Sequence, residues 1–109
     1  MHTGSIQENP YTFKCVDVST AHITEKDSEL LGQEDLAISV AISAYAYEYG
    51  FFVYSSDGAT SEADFARMKE AGFSEELLNL IRIAHERGCK FLALDRDGPV
   101  YNDLPRFGW

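Results

Sequence analysis

The sequence is poor in cysteine and in long apolar runs, and each shortage argues against one class of protein. Two cysteines in 109 residues are too few for the disulfide frameworks that hold small secreted domains together, so we expect a reducing, cytoplasmic compartment. The first ten residues lack the basic start and the apolar stretch of a signal peptide. No apolar run is long enough to cross a bilayer. These shortages predict a soluble protein.

Basic residues are also scarce, because nine Lys and Arg stand against 18 Asp and Glu and give a formal net charge of −9. Nucleic-acid affinity comes largely from basic groups that neutralise phosphates, and acidic membranes attract basic segments in the same way. We therefore expect no direct binding to nucleic acid and no binding to membranes. A basic protein partner, or a nucleic-acid-binding protein whose site the domain occupies, fits this charge. An acidic surface that only keeps the protein in solution is the plainer explanation of the charge.

Several common catalytic and cofactor motifs are absent. The sequence has no P-loop, no Gly-x-Gly-x-x-Gly fingerprint, no Cys-x-x-Cys pair, no His-Glu-x-x-His and no Gly-x-Ser-x-Gly. The usual nucleotide, zinc and esterase sites depend on these motifs for their ligands or nucleophiles. We therefore predict no cofactor and no metal site.

The residues that are present predict one domain over 11–109, preceded by a polar and poorly ordered arm over residues 1–10. Aromatic and β-branched residues, or alternation of apolar and polar residues, predict strands at 11–18, 36–47, 51–55 and 89–95. The second and third of these form an antiparallel hairpin around Glu48, Tyr49 and Gly50. Cys15 and Cys89 lie in apolar runs, where cysteine usually acts as a small buried hydrophobe.

Three helices are expected between the strands. Thr24 begins a short helix that ends near Leu31, Thr60 or Ser61 begins one over 62–71, and Ser74 begins one over 75–87 with a broad apolar stripe. After Pro99 we expect an edge strand or an extended tail whose aromatic end folds back on the core. This order predicts an α+β fold, a mostly antiparallel sheet of about four to five strands with helices packed on one face.

Two polar clusters are candidate catalytic sites. His22 lies in a hydroxyl-rich loop and could activate Thr20 as a nucleophile. Asp95 and Asp97 lie two residues apart at a strand end, a spacing compatible with acid–base catalysis, which could also involve His22, or with binding of a divalent cation. The plainer interpretation of both clusters is structural. In the first, the hydroxyls cap backbone groups and His22 forms hydrogen bonds with residues close to it in the sequence. In the second, the Asp97-Gly98 pair makes a turn and Arg96 pairs with a neighbouring acid.

Tyrosines are concentrated in the predicted hairpin. Alternation directs about half of its aromatic residues away from the core, so Tyr45, Tyr47, Tyr49 and Tyr54 are candidate binding residues. Cross-strand aromatic pairs that only stabilise the sheet explain the same residues.

Four strings, or short segments, of the chain have distinctive sequences: HITEKD at 22–27, YEYGFFV at 47–53, LDRDGP at 94–99 and LPRF at 104–107. They resemble an uncharacterised family of small acidic proteobacterial proteins that occurs on plasmids and integrated mobile elements. The resemblance covers about residues 13–109 and implies a compact single domain in a mobile-element setting. It implies no activity, cofactor or catalytic residue.

Our leading hypothesis is a non-enzymatic, protein-binding accessory or antagonist encoded on a mobile element. It depends on the net charge, the aromatic hairpin and the lack of a complete catalytic constellation. One alternative is a small hydrolase or transferase that uses His22 with Thr20, or with Asp95 and Asp97. Another alternative is a homodimeric structural protein that pairs through an exposed strand or through its aromatic face.

Overall fold

A computed structural model of the chain describes residues 14–33, 42–55 and 62–109. Four strands and three helices lie in these ranges: β1 (Cys15–Ser19), α1 (Glu25–Leu31), β2 (Ile42–Tyr47), β3 (Gly50–Ser55), α2 (Glu62–Ala71), α3 (Glu75–Glu86) and β4 (Phe91–Asp95). A short 3-10 turn, Thr20–His22, connects β1 to α1. The predicted arm at residues 1–10, the predicted strand residues 11–13 and 36–41, and the proposed helix caps Thr60 and Ser61 lie outside the described residues.

The strands form one sheet in the order β1-β4-β3-β2. β2 pairs with β3 and β3 with β4 in antiparallel register, whereas β1 pairs with β4 in parallel register. The predicted α+β class and the mostly antiparallel sheet are confirmed. The parallel pair was not predicted, because it joins the first and last strands of the chain and no local sequence feature specifies such a pairing.

Gly50 begins β3 and lies beside the backbone of β4, where its register partner is Asp95. A Cβ atom at this position would lie 1.8 Å from the carbonyl oxygen of Leu94. Only glycine lets the hairpin enter the sheet at this distance from β4. The predicted hairpin break at Glu48, Tyr49 and Gly50 is therefore also a packing requirement.

The helices pack on one face of the sheet. That face carries Val18, Ile42, Val53, Leu92 and Leu94, each 2% exposed or less, and these join the apolar stripe of α3 in one core. The predicted stripe is confirmed, since its buried residues are Leu77, Leu78, Leu80, Ile81 and Ala84. In the part of the chain that the structure describes, no helix is long and apolar enough to cross a membrane.

Asp27 joins the beginnings of two helices. Thr24 and Asp27 form a reciprocal capping box at α1, in which each backbone N–H donates to the other side chain at 3.0 Å. The Asp27 carboxylate also accepts from the backbone N–H of Ser74 at 2.8 Å and from its hydroxyl at 2.5 Å. Ser74 in turn caps α3 by accepting from Leu77 N–H. A fully buried carboxylate is therefore satisfied by groups at two helix N-termini, where negative charge is favoured.

The residues after β4 form an extended tail, 96–109, that returns across the loop between β1 and α1. Pro99 accepts from the N–H of Ser19, Phe107 donates its N–H to Ala21, and the Trp109 indole donates to the carbonyl of Ile23, each at 2.8 Å. The predicted return of the aromatic end is confirmed. The tail binds mainly through backbone groups, and the Trp109 ring itself remains 50% exposed.

Two local expectations were wrong. Cys89 is buried, but Cys15 is exposed, because its odd position in β1 directs it away from the helices. In the described part of the chain, Arg96 makes no salt bridge to an acidic side chain, although its charge helps to lower the pKa of the adjacent Asp95. Its guanidinium lies over the Tyr49 ring, 4.7 Å from the ring centre.

Candidate functional site

The face of the sheet opposite the helices, which we call the open face, carries the odd-numbered positions of β1, β2 and β4 and the even-numbered positions of β3. Among the described residues, no helix covers it. Its central row runs across all four strands as Tyr45, Phe52, Ala93 and Asp17. The neighbouring rows contain Tyr47 with Asp95, and Tyr54 with Phe91.

Aromatic rings cluster at the β2 and β3 side of the open face. Tyr45 is 61% exposed, and Tyr47, Tyr49 and Phe52 are each about 40% exposed. The Tyr47 ring lies 6.0 Å from Phe52 and 6.5 Å from Tyr49, which are ordinary aromatic contact distances. Single exposed apolar residues need no explanation, whereas contiguous exposed rings are typical of interaction surfaces. We call Tyr45, Tyr47, Tyr49 and Phe52 the aromatic cluster.

Tyr54 has a different environment from the other three candidate tyrosines. Its ring lies 5.2 Å from that of Phe91 and is half-buried. This pair fits the structural interpretation, in which cross-strand aromatic contacts stabilise the sheet. The structure therefore places Tyr45, Tyr47 and Tyr49 together at the surface and Tyr54 further along the same face. Phe52 joins the cluster because the period of two in β3 turns it away from the core, a signal that the sequence already contained.

A hydrogen bond fixes the orientation of Tyr47. Its hydroxyl donates to Asp95 at 2.5 Å, and the other oxygen of Asp95 accepts from the backbone N–H of Asp97 at 2.8 Å. The bond to Asp95 raises the pKa of Tyr47 to about 12 and lowers the pKa of Asp95. Asp95 thus orients a ring of the aromatic cluster, while Asp97 lies in the exposed turn that follows β4.

His22 is 1% exposed, and both of its ring nitrogens bond to the tail. Nε2 accepts from the backbone N–H of Tyr101 at 2.9 Å, so the proton is on Nδ1, which donates to the carbonyl of Pro105 at 2.6 Å. The bonds are therefore not local, since 83 residues separate His22 from Pro105. This ring has no free lone pair with which to accept a proton from a hydroxyl nucleophile.

The catalytic candidates are not brought together. Thr20 begins the 3-10 turn, and its carbonyl accepts from Ile23 N–H at 3.2 Å. In the described part of the chain, no hydrogen bond joins His22 to Thr20, Asp95 or Asp97. Nor do residues 14–33, 42–55 and 62–109 contain three or more His, Cys, Asp or Glu side chains grouped to hold a metal ion.

A cleft of about 550 Å³ lies between β1, α3 and the tail. Apolar side chains, Val16, Leu80, Ile83 and Leu104, form part of its lining, together with charged residues that include Lys14, Arg87 and Asp103. Within the described ranges, no buried side-chain nitrogen or oxygen lacks a hydrogen-bond partner. Among the described residues that line the cleft, no buried side-chain nitrogen or oxygen therefore lacks a partner.

One of three comparisons with known proteins found a match. No curated protein and no solved structure matches the chain. A family model described as "Family of unknown function (DUF5983) C-terminal domain" matches residues 15–109, which includes every strand and helix of the described fold. The resemblance to an uncharacterised family is therefore confirmed, and the chain belongs to the DUF5983 C-terminal domain family.

Proposed function

We propose that this domain is a non-enzymatic protein-binding module whose interface is the open face of its sheet. The observation that carries the proposal is the aromatic cluster: four neighbouring rings that are 40% to 61% exposed on a face that no described helix covers. Tyrosine is among the residues that contribute most to protein interfaces, because it offers a large apolar area at low entropic cost.

Two side chains of the aromatic cluster are held in place by contacts within the domain, and this supports a binding role. Tyr47 is held by its bond to Asp95, and Tyr49 is held between the Tyr47 ring and the guanidinium of Arg96. The backbone N–H of Arg96 also donates to the carbonyl of Tyr49 at 2.9 Å. Side chains that are already ordered lose less entropy on binding, so more of their contact energy appears as affinity.

The charge and the sequence strings support the setting that we propose. A net charge of −9 opposes nucleic-acid and membrane surfaces and favours a basic protein partner. An accessory or antagonist that acts on a nucleic-acid-handling protein in the cytoplasm of a proteobacterium would have this charge. The resemblance of the four strings to proteins of plasmids and integrated elements supports a mobile-element origin.

The hydrolase or transferase alternative receives little support from the geometry. A general base needs a free lone pair within hydrogen-bond reach of the nucleophile. Nε2 of His22 already accepts from Tyr101, and Nδ1 carries the proton that is donated to Pro105. The role of His22 that these contacts support is attachment of the tail.

The test compares co-purification by three tagged forms of the chain from a proteobacterial lysate. A variant carrying Tyr45→Ser and Phe52→Ser removes two rings of the aromatic cluster, and Val100→Ser removes an exposed apolar residue of the tail as the matched control. We expect a protein that the wild type and the control retain and the double variant loses at least about tenfold, because truncating central aromatic anchors commonly costs 2 kcal/mol or more, roughly thirtyfold in affinity.

Two results would overturn the proposal. One is an identical set of co-purified proteins with all three forms. The other is a monomer–dimer equilibrium in sedimentation that the double variant abolishes, since this would assign the open face to self-association and favour the homodimeric alternative.

A further inference from the structure

Ala93 lies in the middle of the open face, where its small side chain is only 7% exposed between larger neighbours. Its neighbours in the adjacent strands are Phe52 and Asp17, and its neighbours along β4 on the same face are Phe91 and Asp95. Neighbouring strands are about 4.8 Å apart, and successive residues of one face are about 6.8 Å apart along a strand. The backbones of two aromatic residues and two acidic residues therefore lie within about 7 Å of the backbone of Ala93.

The charge of this arrangement is of one sign. Asp17 and Asp95 are acidic, and no strand position of the open face carries Lys or Arg. The exposed Asp17 carboxylate makes no hydrogen bond or ion pair with any described residue. Asp95 accepts one bond from Tyr47 and one from Asp97, which leaves lone pairs on both of its oxygens. A cationic group above Ala93 would meet two carboxylates and no like charge from the strands.

The exposed Phe52 ring adds a preference for a planar cation. Guanidinium groups stack on aromatic faces more often than ammonium groups do, and they bind carboxylates through two parallel N–H donors. Among the described residues a guanidinium lies over a ring twice, Arg96 over Tyr49 at 4.7 Å and Arg82 over Phe65 at 4.9 Å. The first of these pairs lies at the edge of the open face.

We infer that the open face recognises an arginine side chain of its protein partner, which lies over Ala93 against the Phe52 ring and bonds to Asp17 and Asp95. This inference rests on the proposed function and adds the chemistry of the partner. A second copy of the chain is a poorer occupant, because bringing two open faces together opposes their carboxylates and two molecules of charge −9. A basic segment of another protein meets the complementary charge.

The test uses the wild-type chain and synthetic peptides, with binding followed by the backbone amide resonances of the ¹⁵N-labelled protein. A Gly-Arg-Gly-Arg-Gly peptide should shift the resonances of Asp17, Phe52 and Ala93. The same peptide with citrulline, which keeps the shape of arginine and lacks its charge, should bind roughly five- to 150-fold more weakly, from one exposed cation–π contact and two surface ion pairs. A lysine peptide should fall between the two.

Matched variants separate local recognition from general attraction to an acidic protein. Asp17→Asn should weaken the arginine peptide roughly two- to fivefold. Glu29→Gln removes the same charge from the exposed surface of α1, on the helix side of the sheet, and should leave the affinity unchanged. Equal affinity for the arginine and citrulline peptides would overturn the inference, and so would equal effects of the two variants. Shifts of the same resonances with protein concentration alone, without peptide, would also overturn it by making a second copy the occupant.

The two proposals fail separately. If the arginine peptide does not bind but co-purification still depends on Tyr45 and Phe52, the chemistry assigned to the partner is wrong and the open face is still the interface. If the peptide binds but no protein depends on the two rings, the proposed function is wrong, and the inference that rests on it no longer applies.

Discussion

Replacing His22 by alanine should release the tail and destabilise the whole domain. The imidazole holds the tail at two points through Tyr101 and Pro105, and it is 1% exposed. Its loss leaves a backbone N–H and a carbonyl without their partners. It also opens a space between the 3-10 turn and the tail.

The size of the effect follows from these contacts. Each hydrogen bond contributes about 0.5–1.5 kcal/mol net, and the removed packing of a fully buried ring adds about 1–2 kcal/mol. We expect the free energy of unfolding to fall by about 2–5 kcal/mol for His22→Ala. His22→Asn should cost less, about 1–2 kcal/mol, because its amide can still donate to Pro105 while the acceptor for Tyr101 is lost.

The assay is urea denaturation followed by two signals. Far-ultraviolet circular dichroism reports the helices and strands, and fluorescence of the single tryptophan, Trp109, reports the tail. The two transitions should coincide for the wild type. In His22→Ala the fluorescence transition should come at lower urea, because the tail detaches before the sheet unfolds.

Arg106→Ala is the control, since this residue is exposed in the same tail. It should change the free energy of unfolding by less than about 0.5 kcal/mol, as surface substitutions usually do. The reasoning is refuted if His22→Ala behaves like the control, with coincident transitions and unchanged stability. That result would show that His22 does not attach the tail, and His22 would again be a candidate catalytic base.

Three further predictions follow from single contacts. Asp27→Ala should cost about 3–5 kcal/mol in urea denaturation, because it removes a buried charged acceptor and leaves two helix N-termini without it, whereas a loss below about 1 kcal/mol would contradict this role. Tyr47 should ionise near pH 12 in an absorbance titration. Its bond to Asp95 should stabilise the fold fully between the ordinary pKa values of aspartate and tyrosine, and this stabilisation is lost as the pH rises through about 12 or falls through the lowered pKa of Asp95. Tyr47→Phe should return the Asp95 pKa towards its ordinary value, and a Tyr47 pKa near 10 would show that the bond is absent. Gly50→Ala should cost at least about 1–3 kcal/mol, since its Cβ would collide with the carbonyl oxygen of Leu94, and a neutral substitution would mean that β3 and β4 are further apart.

Local patterns predicted most of the helices and the faces of the strands. Each of these features depends on residues that are close in the sequence. The examples are the α3 stripe, the Thr24 and Ser74 caps, and the alternation that separates Phe52 from Val53. Such patterns are present in the sequence itself, because helix and strand periods decide which side chains share a face. The same alternation directs Tyr45, Tyr47 and Phe52 away from the core.

Contacts between distant parts of the chain could not be predicted in this way. His22 bonds to Pro105 across 83 residues, and Asp27 bonds to Ser74 across 47. The parallel pairing of β1 with β4 is of the same kind. Hydroxyls, a histidine and carboxylates in loops can serve catalysis or satisfy backbone groups, and only the distant partner decides between these roles. The arrangement of Ala93, Phe52 and Asp17 likewise exists only once the strand order is known.

The central claim is that the open face is where a protein partner binds, and site-specific photo-crosslinking in living cells tests it most directly. A photoreactive phenylalanine analogue placed at Tyr45 or Phe52 should capture one and the same protein, whereas the analogue at Val100, equally exposed on the tail, should not. Capture of that protein from position 100 alone, or no product specific to positions 45 and 52, would contradict the account.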